Sequence, residues 1–117
     1  ITYDEVHSLL NISDKAEFAA TFAQDANNKQ LKWLNKHSIS EPSVLADTKL
    51  TLNTEQYNKL EKYYIFAKKD KIISLNTQEH IASKLALTKS FEIDSGHLPM
   101  LTHADELAFI IEDIIQL

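Results

Sequence analysis

The clearest pattern along the chain is an unbroken run of aromatic and β-branched residues from Tyr63 to Ala67. Because every position is apolar, rather than every second one, the run predicts a strand that is buried on both faces, as in a parallel sheet. Residues 88–94 predict a second strand, with Phe91 and Ile93 on one face. The chain therefore carries two segments of a parallel sheet.

Helices are predicted before, between and after these strands. Residues 76–86 predict the helix that joins them, through an apolar stripe at helical spacing. A C-terminal helix follows, for which Thr102 and Asp105 match a capping box. Its apolar residues recur at i, i+3, i+4 and i+7: Leu107, Ile110, Ile111 and Ile114. The order strand, helix, strand, helix is that of a parallel crossover unit.

The first part of the chain is predicted to be helical over residues 1–38, with Ser13 as the N-cap of its longer helix. The pair Asn27-Asn28 forms helix poorly and predicts a kink or a division there. Residues 38–53 predict an irregular connection, because their Ser-Glu-Pro-Ser stretch cannot continue a helix. Thr54 is then expected to cap a short helical turn.

The composition is that of an ordinary globular protein, with 44% hydrophobic and 25% charged residues. Glycine is the exception, because Gly96 is the only one in 117 residues. A complete α/β domain needs glycines in tight turns and near ligands, so its glycine-rich part is expected elsewhere. Two strands also cannot form a stable sheet whose faces both need cover. The sequence therefore indicates part of a larger fold, and its start at Ile1 is interpreted as internal.

Charge and hydropathy exclude several classes of function. The net charge is −5 and no basic stripe is present, which argues against a nucleic-acid partner. No apolar run approaches the length of a membrane span. The absence of cysteine excludes disulfides and thiolate metal sites, and it fits a cytoplasmic location. His80, His97 and His103 match no known zinc spacing, so neither a metal nor another cofactor is expected.

Two residues that can carry chemistry follow the predicted strands. Asp70 lies three residues after the first strand, and His97 lies in the loop after the second, preceded by Gly96, which is expected to let the backbone turn tightly. Loops at the carboxyl ends of parallel strands meet at one edge of the sheet, so we expect the two side chains to touch. A carboxylate that binds one imidazole nitrogen leaves the other free to take a proton from a nucleophile. Either residue alone is more simply solvated or structural, and it is the pair that indicates a catalytic site.

Several ordered stretches resemble the α/β-hydrolase subgroup that contains methylesterases and hydroxynitrile lyases. The matching stretches are Leu50-Thr51-Leu52-Asn53-Thr54-Glu55-Gln56-Tyr57, Lys62-Tyr63-Tyr64-Ile65, Asp70-Lys71-Ile72-Ile73, Gln78, His97-Leu98-Pro99-Met100-Leu101 and Glu106-Leu107. The likeness covers most of residues 40–117 and continues more loosely through 1–39. It implies the C-terminal part of an α/β-hydrolase fold: a helical cap region at 1–53, then a core segment at 54–117 with parallel strands.

By that resemblance Asp70 is the acid and His97 the base of a catalytic triad in a carboxylic-ester hydrolase. The family's nucleophile is a serine in a Gly-x-Ser-x-Gly turn, which this chain lacks. The serine is therefore expected upstream, in a missing N-terminal half of the same fold, and the chain alone is expected to be inactive.

Hydroxynitrile lyases of the subgroup carry lysine directly after the histidine. Leu98 stands there instead, so the resemblance favours ester hydrolysis over cyanohydrin cleavage. An apolar cap and an apolar residue beside the base suit a small uncharged ester. Leu98, Met100 and Trp33 are the candidate substrate-binding residues. Packing beneath the final helix is an equal alternative for Met100, and packing in the core is the favoured interpretation for Trp33.

Two other functions stay open at this point. One is a non-catalytic member of the fold that binds a small ligand in the same pocket, which differs only in the upstream serine and oxyanion hole. The other is an independent small helical interaction protein whose resemblance is accidental. Such a protein folds alone with a cooperative thermal transition, whereas a hydrolase segment needs the rest of its fold.

Overall fold

The first eleven residues form a β-hairpin in the computed structural model, which describes all 117 residues. Three short strands pair antiparallel in the order β1-β2-β3: β1 (Thr2–Asp4), β2 (Leu9–Asn11) and β3 (Glu41–Pro42). The Asp4 carboxylate accepts hydrogen bonds from the backbone N–H groups of Val6 and His7, at 3.0 and 3.1 Å. An aspartate that bonds its own backbone in this way closes a turn. The prediction of helix for this segment is therefore wrong.

The first helix, α1 (Lys15–Phe22), begins where the sequence pattern suggests but is capped by a different residue. The N-cap is Asp14 and not Ser13, because the Asp14 carboxylate accepts hydrogen bonds from the N–H groups of Ala16 and Glu17 at 2.9 and 3.0 Å. A charged acceptor at this position also interacts favourably with the helix dipole.

The predicted division at Asn27-Asn28 is confirmed. Helix α2 (Asn28–His37) begins there with a capping box, in which the side chains of Asn27 and Gln30 each accept the other's backbone N–H. The polar pair therefore ends one helical element and starts the next.

The connection over residues 38–53 is irregular, as predicted, apart from β3 and a single helical turn, α3 (Val44–Asp47). A second short helix, α4 (Thr54–Asn58), follows. Asn53 caps α4 in place of the expected Thr54, because its side-chain oxygen accepts the N–H of Gln56 at 3.1 Å. The predicted caps are therefore displaced by one residue at both α1 and α4.

The predicted strand-helix-strand unit is confirmed. Strands β4 (Tyr63–Ala67) and β5 (Lys89–Ile93) pair in parallel over their full length, and α5 (Leu75–Ser83) joins them. Because the strands run in the same direction, the loops at 68–74 and 94–98 leave the sheet at the same edge. This edge carries both residues that the sequence analysis singled out.

The chain ends in two helices, α6 (Pro99–Thr102) and α7 (Ala104–Gln116). The predicted capping box at the start of α7 is wrong, because its N-cap is His103, which makes no side-chain capping bond. The Thr102 hydroxyl donates instead to the carboxylate of Asp25, 3.2 Å away. This contact ties the end of α6 to the loop between α1 and α2.

The chain exposes more surface than a monomer of its size. Its accessible surface is 8715 Å², whereas the scaling law for monomeric proteins gives about 6,500 Å² for 13.3 kDa. The radius of gyration is 16.6 Å, against about 13 Å for a globular domain of this length. The secondary-structure elements are therefore arranged around a core that the chain only partly fills.

Much of the extra surface is apolar. Large hydrophobic side chains stand exposed in every part of the chain, among them Val6, Ile39, Leu45, Leu50, Leu60, Phe109 and Ile115. None of the helices combines the length and apolarity needed to cross a bilayer. Apolar surface of this extent is typical of regions that contact another folded element, a ligand or a membrane.

The 117-residue chain on its own is expected to unfold without a sharp thermal transition and to bind a hydrophobic dye strongly. The physical reason is that apolar surface left in water does not stabilise the folded state. Circular dichroism at increasing temperature, with dye fluorescence in parallel, measures both. A cooperative transition of a monomer that binds no dye would contradict this and would favour an independent interaction protein.

Candidate active site

Asp70 and His97 are in contact at the carboxyl edge of the parallel strands. The His97 Nδ1 atom lies 2.8 Å from Asp70 Oδ2, a hydrogen-bond distance. The Asp70 side chain is 6% exposed and that of His97 is 27% exposed. The carboxylate is therefore shielded from water, while the imidazole still reaches the surface of the chain.

Backbone N–H groups hold the second oxygen of the carboxylate. Asp70 Oδ1 accepts from the N–H groups of Ile72 at 2.7 Å and Ile73 at 3.0 Å. Burial by itself raises the pKa of Asp70, but the hydrogen bonds from His97, Ile73 and Ile72 outweigh burial, and the pKa lies below its ordinary value. At neutral pH Asp70 is therefore an ionised acceptor for the imidazole.

A buried glutamine fixes the loop that carries Asp70. The Gln78 side chain accepts the N–H of Ala67 at 3.0 Å and donates to the carbonyl oxygens of Ala67 and Ile73 at 2.9 and 2.8 Å. These bonds satisfy backbone groups at both ends of the turn that contains the aspartate. The glutamine-bearing helix of the sequence resemblance thus has a structural basis, because Gln78 holds the acid loop against α5.

The two loops continue the pairing of β4 and β5 beyond the strands. The Lys68 N–H donates to the Ile93 carbonyl at 3.0 Å, and the Lys69 N–H donates to the Ser95 carbonyl at 2.9 Å. Asp70 directly follows this extension in one loop, and His97 lies two residues after it in the other. Backbone hydrogen bonds therefore set the distance between the two functional side chains.

Gly96 is required for space. The prediction from the sequence was that it allows a tight turn. Its φ is not positive. A Cβ atom at this position would lie 2.7 Å from Asp25 Oδ1 and 2.8 Å from Gln24 Oε1. A larger residue would displace the end atoms of the Gln24 and Asp25 side chains.

An aromatic side chain from α1 covers the imidazole. The Phe22 ring meets the His97 ring edge-on, with centroids 5.3 Å apart and an interplanar angle of 81°. Phe22 in turn stacks on Phe18, with centroids 4.3 Å apart. The first part of the chain therefore gives the histidine an apolar neighbour.

Two of the three candidate substrate-binding residues lie together, but away from the Asp70–His97 pair. Trp33 and Met100 line an open groove of about 540 Å³, which neither Leu98 nor His97 lines. The other lining residues are Asn27, Lys29, Gln30 and Leu101. The preference for Trp33 as a core residue is wrong, because it is 55% exposed and stacks on His37. Its role in substrate binding stays a prediction.

Three residues that contact the site were not predicted from the sequence: Phe22, Gln24 and Asp25. Phe22 lies in the segment predicted to be helical, and the other two lie in the loop that follows α1. The adjacent polar pair between Ala23 and Ala26 is the signal that could have drawn attention to that loop, because it interrupts an apolar stretch.

No serine of the chain is placed as a nucleophile. Ser95, the nearest in sequence to His97, is fully buried, and its hydroxyl donates to the Gly96 carbonyl at 3.0 Å. His97 Nε2 makes no hydrogen bond within the chain, so this nitrogen is available to an outside group. No group of three or more metal-ligating side chains comes together.

Comparisons with known proteins identify the fold. No protein-family model matches the chain, and no curated protein gives a significant match. Among solved structures, the crystal structure of polyneuridine aldehyde esterase matches with a TM-score of 0.78 and 22% identity, over 88% of this chain and 42% of that one. A histidine-to-alanine mutant of that esterase matches over the same shares with a TM-score of 0.77 and 22% identity.

This chain thus spans less than half the length of the structures it matches. Both matches are α/β-hydrolases of the methylesterase and hydroxynitrile lyase subgroup, which agrees with the resemblance seen in the sequence. The chain has the fold of the C-terminal portion of an α/β-hydrolase.

Proposed function

We propose that this chain supplies the acid, Asp70, and the base, His97, of a serine hydrolase that acts on carboxylic esters. The observation that carries the proposal is the 2.8 Å contact between His97 Nδ1 and a buried, ionised carboxylate. A histidine held in this way presents its second nitrogen as a general base, which is the arrangement of acid and base in a triad.

The nucleophile comes from outside these residues. The fold is that of proteins more than twice the length of this chain, and the single glycine excludes a Gly-x-Ser-x-Gly turn within it. A serine on the N-terminal half of the fold attacks the ester carbonyl, and His97 Nε2 takes the hydroxyl proton. The alcohol then leaves with that proton, and a water activated by His97 releases the acid.

Asp70 acts through the imidazole. Its carboxylate fixes the tautomer in which Nδ1 carries the proton, and it stabilises the imidazolium that forms when Nε2 is protonated. The N–H bonds from Ile72 and Ile73 keep the carboxylate ionised and fixed in place. The same oxygen therefore faces His97 throughout the reaction.

The exposed apolar surface supports the proposed partner. An N-terminal half of the fold covers that surface and completes the sheet beside β4, which has β5 as its sole neighbouring strand here. The contact between Phe22 and His97 supports the assignment of residues 1–53 as the cap region of the fold.

The substrate is a small uncharged ester. The neighbours of His97 are the Phe22 ring and Leu98, and the nearby Lys69 ammonium is paired with Asp94 at 2.8 Å. The apolar neighbours of His97 favour an uncharged substrate at the histidine.

In the full-length protein, His97→Ala and Asp70→Asn are each expected to lower kcat for p-nitrophenyl butyrate by about 10⁴-fold, because triad members act as a unit. Matched control variants are His80→Ala and Asp47→Asn, which change exposed residues of α5 and α3. Both controls should keep the parental rate. Near-parental rates in the two site variants would end the catalytic assignment. Binding of the ester without turnover by the parental protein would point to a non-catalytic sensor instead.

Asp70 is also expected to stabilise the folded protein at neutral pH and to lose this contribution in acid. Its pKa is lower in the folded state than in the unfolded chain, where it is about 3.9. Its stabilising contribution is therefore fully present above that pH and is lost as the pH falls through the folded value.

The measurement is the melting temperature of the full-length protein and of its Asp70→Asn variant between pH 7 and pH 3. The difference between the two should shrink as the pH falls below about 4, because only the parental protein protonates Asp70 there. Asp4 and Asp94, whose pKa values are also lowered, titrate in both proteins and cancel. A constant difference across the whole range would refute the coupling.

A further inference from the structure

Two consecutive side chains in the loop between α1 and α2 each bond the backbone beside one of the two functional residues. We infer that Gln24 and Asp25 are positioning residues, which hold the loops of Asp70 and His97 together when residues 1–53 lie over the site. Neither side chain touches the reacting groups, so both act through the loops. The kinetic part of this inference rests on the proposed function, and the structural part does not.

Gln24 holds the acid loop. Its Nε2 donates a 2.6 Å hydrogen bond to the carbonyl oxygen of Lys69, the residue directly before Asp70. The bond joins residues 45 positions apart in sequence. Gln24 therefore fixes the peptide from which the carboxylate side chain projects.

Asp25 holds the base loop at both of its ends. Its Oδ2 accepts the N–H of Gly96 at 2.8 Å and the hydroxyl of Thr102 at 3.2 Å. Gly96 directly precedes His97, and Thr102 ends the short helix that follows. One carboxylate oxygen thus joins the two ends of the segment that carries the histidine. His103 Nδ1 also lies 3.5 Å from this oxygen.

The absence of a side chain at Gly96 is part of the same arrangement. The position of its missing Cβ lies within 3 Å of Asp25 Oδ1 and of both end atoms of the Gln24 amide. Both side chains therefore converge on the one backbone point beside the histidine. A residue larger than glycine would separate them from it.

Each of the two side chains also has one buried oxygen atom without a hydrogen-bond partner in the chain. Gln24 Oε1 and Asp25 Oδ1 are buried, and neither accepts a hydrogen bond from any protein group. Burial of an acceptor without a partner is unfavourable, and such atoms in native structures call for an explanation. The explanation here is that the other atoms of both side chains hold the loops of the site.

The test uses the full-length protein with Asp25→Ala and Asp25→Asn. Asp25→Ala removes the acceptor for Gly96 and should lower kcat by about 100-fold, since small displacements of catalytic groups have effects of that size, with KM changed less than threefold. Asp25→Asn should keep kcat within threefold, because its amide oxygen still accepts from Gly96 and its N–H can donate to Gln24 Oε1. Glu17→Ala, which removes an exposed carboxylate from α1, is the matched control and should have the parental kcat.

A second measurement does not depend on activity. The Nδ1 proton of His97 in its bond to Asp70 gives a far-downfield NMR signal, identified by its loss in Asp70→Asn. That signal should weaken or shift in Asp25→Ala and persist in Asp25→Asn and Glu17→Ala. Gly96→Ala, which forces the same two side chains away from the loop, should reproduce the effect of Asp25→Ala.

The outcomes separate this inference from the proposed function. Loss of the signal in Asp25→Ala within a protein that hydrolyses no ester supports the positioning role and removes the hydrolase assignment. An unchanged signal and parental kcat in Asp25→Ala, with activity still dependent on His97, overturn the positioning role alone. A lowered melting temperature with kcat fully restored on cooling also overturns it, because Asp25 would then act on stability only.

Discussion

The parallel pairing of β4 and β5 is the constraint on which the rest of the site depends. The two strands pair over their full length, and two further backbone bonds, from Lys68 to Ile93 and from Lys69 to Ser95, carry the pairing into the loops. The next residue of one loop is Asp70, and His97 stands two beyond Ser95 in the other. Their 2.8 Å contact therefore depends on sheet register, because a change in the pairing of the strands would move the two loops relative to each other.

The site is held from three directions by groups that do no chemistry. Gln78 fixes the acid loop from α5, Asp25 fixes the base loop from the side of α1 and α2, and Phe22 covers the imidazole. Each of these contacts joins segments that are distant in sequence or in different elements. Positioning of a catalytic pair by such supporting contacts is what gives it a fixed geometry. The large apolar surface of the chain agrees with this dependence on neighbours, since the loops of the site lie at the edge of a two-stranded sheet that has room for more strands.

The predictions made from the sequence succeeded where one local pattern decides the structure. The run from Tyr63 to Ala67 predicted a strand, and its bounds are those of β4, although only Ala67 is buried in this chain and the other four residues are half-buried. The division at Asn27-Asn28 followed from intrinsic helix propensity. The prediction of a helix over the first eleven residues was wrong because β2 pairs with β3, whose residues lie more than thirty positions further along the chain. The prediction that Trp33 packs in the core was wrong for a similar reason, since the apolar character of a residue does not determine its neighbours in the fold.

The sequence by itself determined the two strands, the helix between them, and the placement of an aspartate and a histidine in loops that follow the strands. These depend on hydrophobic period and on chain direction, which are properties of neighbouring residues. Only the tertiary structure decided that Gln24 and Asp25 bond the backbone beside Asp70 and His97, because a polar side chain in a loop carries no mark of the partner it will meet 45 or 71 positions away. The same holds for Gly96: the sequence indicated that a glycine was needed, and the folded chain showed that the need is for space.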